Sequence, residues 1–171
     1  MTVKITKPEI NVREKLNELD FAKLPFQKMP AGSVVQYQSA STGQSLSTSS
    51  TSYVDSGVDI VFTPKFANSK VLITVQSRRF NLVSAGVINI KCVRDDSTDV
   101  LGIQNTEPNI HFQNTNSTTS NQIAYPLHYM WEDTLSSLNE VKYSIYFQVS
   151  TGVGYLSDTG GVQLYIQEIA Q

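Results

Sequence analysis

From Ser33 to the end of the chain, apolar side chains fall on alternate positions in short runs, and each run stops at a cluster of Ser, Thr, Asn, Asp or Gly. A period of two puts successive side chains on opposite faces of an extended backbone, so each run predicts a half-buried strand. Residues 33–39 (SVVQYQS) form the first. Residues 54–63 carry Val58, Ile60 and Phe62 on one face, residues 70–77 carry Val71, Ile73 and Val75, and residues 86–94 carry Ile88, Ile90 and Cys92. Residues 122–131 align Ile123, Tyr125, Leu127, Tyr129 and Trp131. Residues 141–149 alternate most cleanly, and residues 162–169 close the series. The stretch ASTGQSLSTSSTS reads as a polar loop or, at most, an edge strand, while FTPKFANSK, DDSTDVLG, NTNSTTSN and STGVGYLSDTGG read as turns. Seven or eight short strands with turn signals between them predict an all-β protein, an antiparallel β-sandwich or jelly roll over residues 33–171.

Residues 1–32 have a different pattern. Asn11 suits a helix N-cap with Glu14 three positions on, Val12, Leu16 and Leu19 form one helical stripe, and Pro25 ends it. So short a helix is marginal in water, since isolated helices below ~12–15 residues rarely persist. The stripe needs a partner surface, and it is too short for a coiled coil. The segment is therefore expected to be an extended attachment arm with one short helix, ordering when Ile10, Val12, Leu16, Leu19, Phe21, Leu24 and Phe26 dock on a larger assembly. Each large side chain fully buried there would contribute ~1.5–3 kcal/mol, against ~1–2 kcal/mol for each backbone residue fixed.

Composition narrows the function. The 171 residues are 40% hydrophobic but only 16% charged, below the ~25% of an average globular protein. With a net charge of −2, the chain lacks the basic stripe of a nucleic-acid binder, although the arm itself is mildly basic. No apolar run approaches the ~20 residues that span a bilayer, and MTVKITKPEI is not the hydrophobic core of a signal peptide. Synthesis in a cytoplasm, without membrane association, is the expectation. Cys92 is the only cysteine; within an apolar run it reads as a buried, inert thiol.

Candidate chemistry is sparse. The sequence holds none of G-x-S-x-G, G-x-G-x-x-G, a Walker loop or H-E-x-x-H, so it is read as a non-enzyme without cofactor or metal. His111 and His128 are the two histidines, and nothing in the pattern ties either to a nucleophile. Asp95, Asp96 and Asp99 in RDDSTD offer oxygen ligands of the kind calcium takes, but Asp is also a common turn residue. Glu132 and Asp133 are the first place to look for the carboxylate pair of a glycosidase. Beside them Tyr129 and Trp131 are the candidate carbohydrate contacts, with a core role for Trp131 as the plainer alternative. Asn116 begins a formal glycosylation triplet, which means little without a secretory signal.

Two segments carry a family resemblance. MTVKITKPEINVREKLNELD, continued by MPAGSVVQ, resembles the N-terminal attachment segment and first strand of small virion proteins from marine podoviruses and myoviruses, chiefly phages of cyanobacteria. GGVQLYIQEIA is similar to the last strand of trimeric phage jelly rolls, a Gly-rich turn feeding an alternating strand through Glu168 and Ile169. The resemblance covers about a third of the chain and implies a structural protein of the virion surface. It implies a homotrimer docked on a phage capsid or tail protein; a second reading, drawn from the Tyr and Trp side chains and not from the resemblance, is a module that binds host surface polysaccharide. A capsid location, as a knob, decoration protein or head fibre, is favoured over a short tail fibre or fibre tip, because no repeat or coiled coil is present to build a shaft.

Overall fold

The computed structural model describes residues 29–95, 98–100, 110–115 and 122–171. The expected arm helix and its docking residues, Ile10, Val12, Leu16, Leu19, Phe21, Leu24 and Phe26, lie outside them. Among the described residues eleven strands follow one another: β1 (Val34–Thr42), β2 (Leu46–Thr48), β3 (Val54–Phe62), β4 (Ser69–Val83), β5 (Gly86–Arg94), β6 (Thr98–Val100), β7 (Ile110–Asn114), β8 (Gln122–Leu135), β9 (Val141–Val149), β10 (Val153–Ser157) and β11 (Val162–Ile169).

Their pairing is nested. β1 pairs with β11, β3 with β9, β4 with β8 and β5 with β7, all antiparallel. β11 also pairs with β4, and β9 with β5. The two sheets are therefore β1-β11-β4-β8 and β3-β9-β5-β7, with the short strands β2, β10 and β6 continuing the lanes of β1, β11 and β7. A chain folded back on itself in this order, its successive nested pairs alternating between the two sheets, is the double Greek key of a jelly roll. The sandwich expected from the alternation is present, with more strands than the seven or eight anticipated.

The differences have physical causes. Residues 153–157 and 98–100 were expected to be turns, but each adds a short ladder to a longer neighbour. Runs so short are paired by context, not by periodicity. Residues 46–48 form an edge strand on β10, the second of the two expectations for that stretch. β4 runs six residues past Ser77, its expected end, to Val83. It does so through a bulge: Ser77 faces Leu127 and Phe80 faces Tyr125, so Arg78 and Arg79 stand opposite the single residue Pro126. One extra residue reverses which parity faces the core. Before the bulge Val71, Ile73 and Val75 point inward; after it Phe80 and Leu82 do. Pro126, with no N–H to give a ladder, is tolerated beside a bulge.

Between the sheets lies one apolar core. Phe62, Ile73, Leu82, Ile90, Trp131, Ile145 and Ile166 are fully buried, each worth ~1.5–3 kcal/mol against exposure. Phe80 and Tyr125 bracket Phe112 edge-on at one end, at 5.4 and 5.3 Å between ring centroids. The two ends of the sandwich's chain meet: the Gly32 N–H donates to the Ala170 carbonyl, and the Ala170 N–H to that of Ser33, both at 2.8 Å.

One buried carboxylate ties the sheets together. Glu168 follows Leu164 and Ile166 on the inward parity of β11 and is fully buried. Its oxygens accept the backbone N–H groups of Lys65 (2.9 Å) and Phe66 (3.0 Å) and the amide of Gln36 (2.7 Å). Lys65 and Phe66 belong to the loop crossing from β3 in one sheet to β4 in the other, so the loop's otherwise unpaired donors are satisfied by an anion.

Candidate functional site

Neighbours on a strand project to opposite faces, and this separates the carboxylates singled out from the sequence. Glu132 turns outward and pairs with the Lys70 ammonium at 2.8 Å. Asp133 turns inward, where its Oδ2 accepts from Arg94 Nη1 and from the Tyr143 hydroxyl, each at 2.8 Å. They do not flank a common cleft, so no glycosidase pair exists at this position. Burial, and then the Asp133 carboxylate, push the Tyr143 hydroxyl well above the ordinary phenol range. The same two causes push the buried Cys92 thiol up, which makes it a poor nucleophile.

Trp131 is fully buried, and Tyr129 packs half-buried against the core with the two rings edge-on at 5.0 Å. Of the two readings of Trp131, candidate carbohydrate contact and core residue, the structure excludes the first: its parity on β8 places it opposite Ile73 inside the sandwich, fully buried. Asp95 is engaged with the backbone of Lys142, donating its N–H to the carbonyl at 2.8 Å and accepting the Lys142 N–H on Oδ1 at 2.9 Å. Asp96 lies outside the described residues. Among those described, no three His, Cys, Asp or Glu side chains gather to hold a metal ion. His111 lies on β7 opposite Asn89, and His128 is exposed on β8.

The most developed surface feature is one the sequence reading did not single out. On the outer face of the β1-β11-β4-β8 sheet, the register aligns side chains in rows across four strands. One row runs Tyr37, Gln167, Leu72, Glu132; the next Ser39, Tyr165, Thr74, Met130; the third Ser41, Gln163, Gln76, His128. Tyr37 and Tyr165 stack at 6.0 Å with an interplanar angle of 27°, and Tyr37 is 54% exposed. Beyond the third row the β4 bulge turns Arg78 and Arg79 outward together, and the turn between β10 and β11 rises beside them.

Bulge, turn and β8 enclose a recess of about 290 Å³, open to solvent and lined by Gln76, Arg78, Pro126, His128, Gly160 and Gln163 among others. The turn is fixed by Gly161, at φ +76°, where a Cβ would stand 1.6 Å from the Thr42 carbonyl oxygen. The two arginines have different surroundings. Arg79 Nε pairs with Asp158 at 3.2 Å, and Asp158 also accepts from Asn81 at 3.3 Å. Arg78 is exposed, lies along Gly160 and makes no ion pair with a described residue. The tyrosine hydroxyl of Tyr165 donates to Gln163 Oε1 at 2.5 Å, fixing that amide with its NH₂ group left to donate. The sequence signal that would have found this place is the parity switch on either side of Ser77-Arg78-Arg79, followed by the Gly160-Gly161 pair.

No protein-family model matches the chain, and no curated protein does. Among solved structures it is similar to that of infectious bursal disease virus, Gx strain, at 12% identity over 79% of this chain and 40% of that one, with a TM-score of 0.24. It is also similar to the crystal structure of the infectious bursal disease virus VP2 subviral particle, at 15% identity over 79% and 41% of the two chains, with a TM-score of 0.21. The chain spans about two fifths of the length of these neighbours. Superposition at that level decides nothing about fold or function; the fold class, an all-β jelly roll, rests on the strand order.

Proposed function

We propose that the chain is a non-enzymatic structural protein of a bacteriophage particle, a jelly-roll module held on the virion surface by residues 1–32. The observation that carries this reading is the way the module closes. The backbone bonds joining Gly32 and Ser33 to Ala170 seal β1 against β11 where the arm begins, and the buried apolar residues described between the sheets run from Val35 to Ala170. An apolar stripe in the sequence of residues 1–32, ahead of a sandwich whose described core runs from Val35 to Ala170, suits attachment to another protein. The described ends of the two segments that carry the family resemblance meet, since VVQ and VQLYIQEI belong to the two strands of a single ladder. Three copies about a common axis, each arm docked on a capsid protein, would be tied to the particle multivalently.

A capsid knob or decoration is favoured over a short tail fibre because the sequence of residues 1–32 carries no repeat or sustained heptad of the kind that builds a shaft. The test is electron microscopy of particles carrying a C-terminally tagged copy, with gold-labelled antibody. Label over the head is expected; label on the tail alone overturns the capsid assignment, and unlabelled particles overturn the virion assignment. Deleting residues 1–28 is expected to abolish labelling while leaving the melting temperature of the purified protein within about 2 °C, since the change removes no described core contact.

A further inference from the structure

We propose that the recess between the β4 bulge, β8 and the β10–β11 turn binds an anionic saccharide, a pyranose ring carrying a carboxylate. The inference is independent of where the protein sits on a particle.

Four observations carry it. The volume, about 290 Å³, lies at the lower end of the ~300–1,000 Å³ range of small-ligand sites, which suits one ring with its neighbours left in solvent. Its polar groups match such a ring: Gln76 and Gln163 offer planar amides that can donate to and accept from adjacent hydroxyls, and His128 adds a ring nitrogen. Gln163 is held by Tyr165, so less order must be imposed on binding. The charge is the third point. The protein is net acidic, yet among the described residues no carboxylate lines the recess and none pairs with Arg78, which stands at it. A guanidinium is the side chain whose fork matches a carboxylate through two parallel hydrogen bonds.

The fourth observation is the surface leading to the recess. The stacked rings of Tyr37 and Tyr165 occupy the two adjoining rows on the same face, and an exposed aromatic ring is a flat apolar surface for the C–H face of a second sugar. An extended chain of sugars would thus lie across the strands, one ring in the recess and the next toward the tyrosines. Gly160 keeps the wall low: a Cβ there would come within 3.2 Å of Arg78 Cδ, crowding the stem that positions the guanidinium.

The experiment is a calorimetric and NMR titration of the full chain with three probes: an oligogalacturonate, a neutral malto-oligosaccharide of the same length, and a sulfated malto-oligosaccharide. Binding of the oligogalacturonate at least tenfold tighter than of the neutral probe is expected. Arg78→Gln should weaken it tenfold or more, Gln163→Ala about fivefold, and Arg79→Gln less than twofold, because Arg79 is held by Asp158. Thermal melts of Arg78→Gln should match the parent, since the side chain is exposed and makes no ion pair with a described residue. Absence of binding by the oligogalacturonate overturns the proposal, as does equal binding of the neutral probe. Tighter binding of the sulfated probe overturns the carboxylate assignment. Equal losses in Arg78→Gln and Arg79→Gln reduce the effect to net charge and overturn the site.

Discussion

The Glu168 carboxylate accepts the backbone N–H of Lys65 through both of its oxygens, each at 2.9 Å, across a separation of 103 residues. A residue on the last strand thereby holds the crossing from β3 in one sheet to β4 in the other. Hydrogen bonds to a buried ion contribute ~1.5–3 kcal/mol, and a buried donor stripped of its acceptor costs ~1–3 kcal/mol. Glu168→Ala is therefore expected to lose about 3–5 kcal/mol. Glu168→Gln, which keeps one acceptor oxygen, should lose about half of that. Urea unfolding followed by tryptophan fluorescence measures both, and a loss below about 1 kcal/mol in the alanine variant would show that the loop does not depend on the carboxylate.

Alkaline pH should destabilise the fold in a defined way. Cys92 and Tyr143 both keep their protons in the folded protein beyond the pH at which the unfolded chain releases them, chiefly because they are buried. The stability they contribute is whole below the unfolded values, about 8.5 for a thiol and about 10 for a phenol. Above those values the unfolded state binds fewer protons, and stability falls by about 1.4 kcal/mol per pH unit for each group. Unfolding free energies at pH 7, 9 and 10.5 should show this decline, and the double variant Cys92→Val, Tyr143→Phe should flatten it. An unchanged slope in that variant would assign the decline to other groups.

Two glycines with the same sign of φ should respond differently to alanine. At Gly32, φ is +86° and nothing lies within 4 Å of a Cβ, whereas at Gly161, φ is +76° and a Cβ meets the Thr42 carbonyl oxygen. Gly32→Ala pays only the left-handed backbone cost, about 1–2 kcal/mol. Gly161→Ala must also displace the β1 backbone, so it should cost at least about 2 kcal/mol more and shift the amide resonances of β1. Equal destabilisation would mean that the turn relaxes freely.

Self-association is tested by multi-angle light scattering on the purified full chain. A mass of three copies is expected from the proposed trimer. A monomer at micromolar concentration would mean that any threefold arrangement is imposed by the particle.

Much of the fold was legible in the sequence. The strands 86–94, 141–149 and 162–169 begin and end where the alternation does, because each lies within a sheet with one face on the core and must keep its parity throughout. β4 was legible only to Ser77. Its bulge interrupts the alternation, and a strand that resumes on the opposite parity looks like one that has ended. The strands at 98–100 and 153–157 were missed because three to five residues are too few to establish a period. The site was less legible than the fold. Trp131 and Tyr129 drew attention as aromatic residues near carboxylates, but strand parity sends the indole into the core and divides Glu132 from Asp133. Gln163, Gln76 and His128 are scattered over 88 positions of the sequence, from 76 to 163, and only the antiparallel register sets them in one row.

By itself the sequence determined the local state of the chain: extended, half-buried strands with polar turns, an arm of different character before them, and no enzyme motif. Those properties follow from periodicity and residue type, which act over a few neighbouring residues. The tertiary structure alone decided that β1 would close on β11, that Glu168 would be spent on the loop at Lys65 and Phe66, and that Arg78 would stand beside the Gly160 turn with no ion-pair partner among the described residues. Each of these depends on which distant segments are brought together, and two strands with the same alternation carry no label saying which partner, or which register, will bury them best.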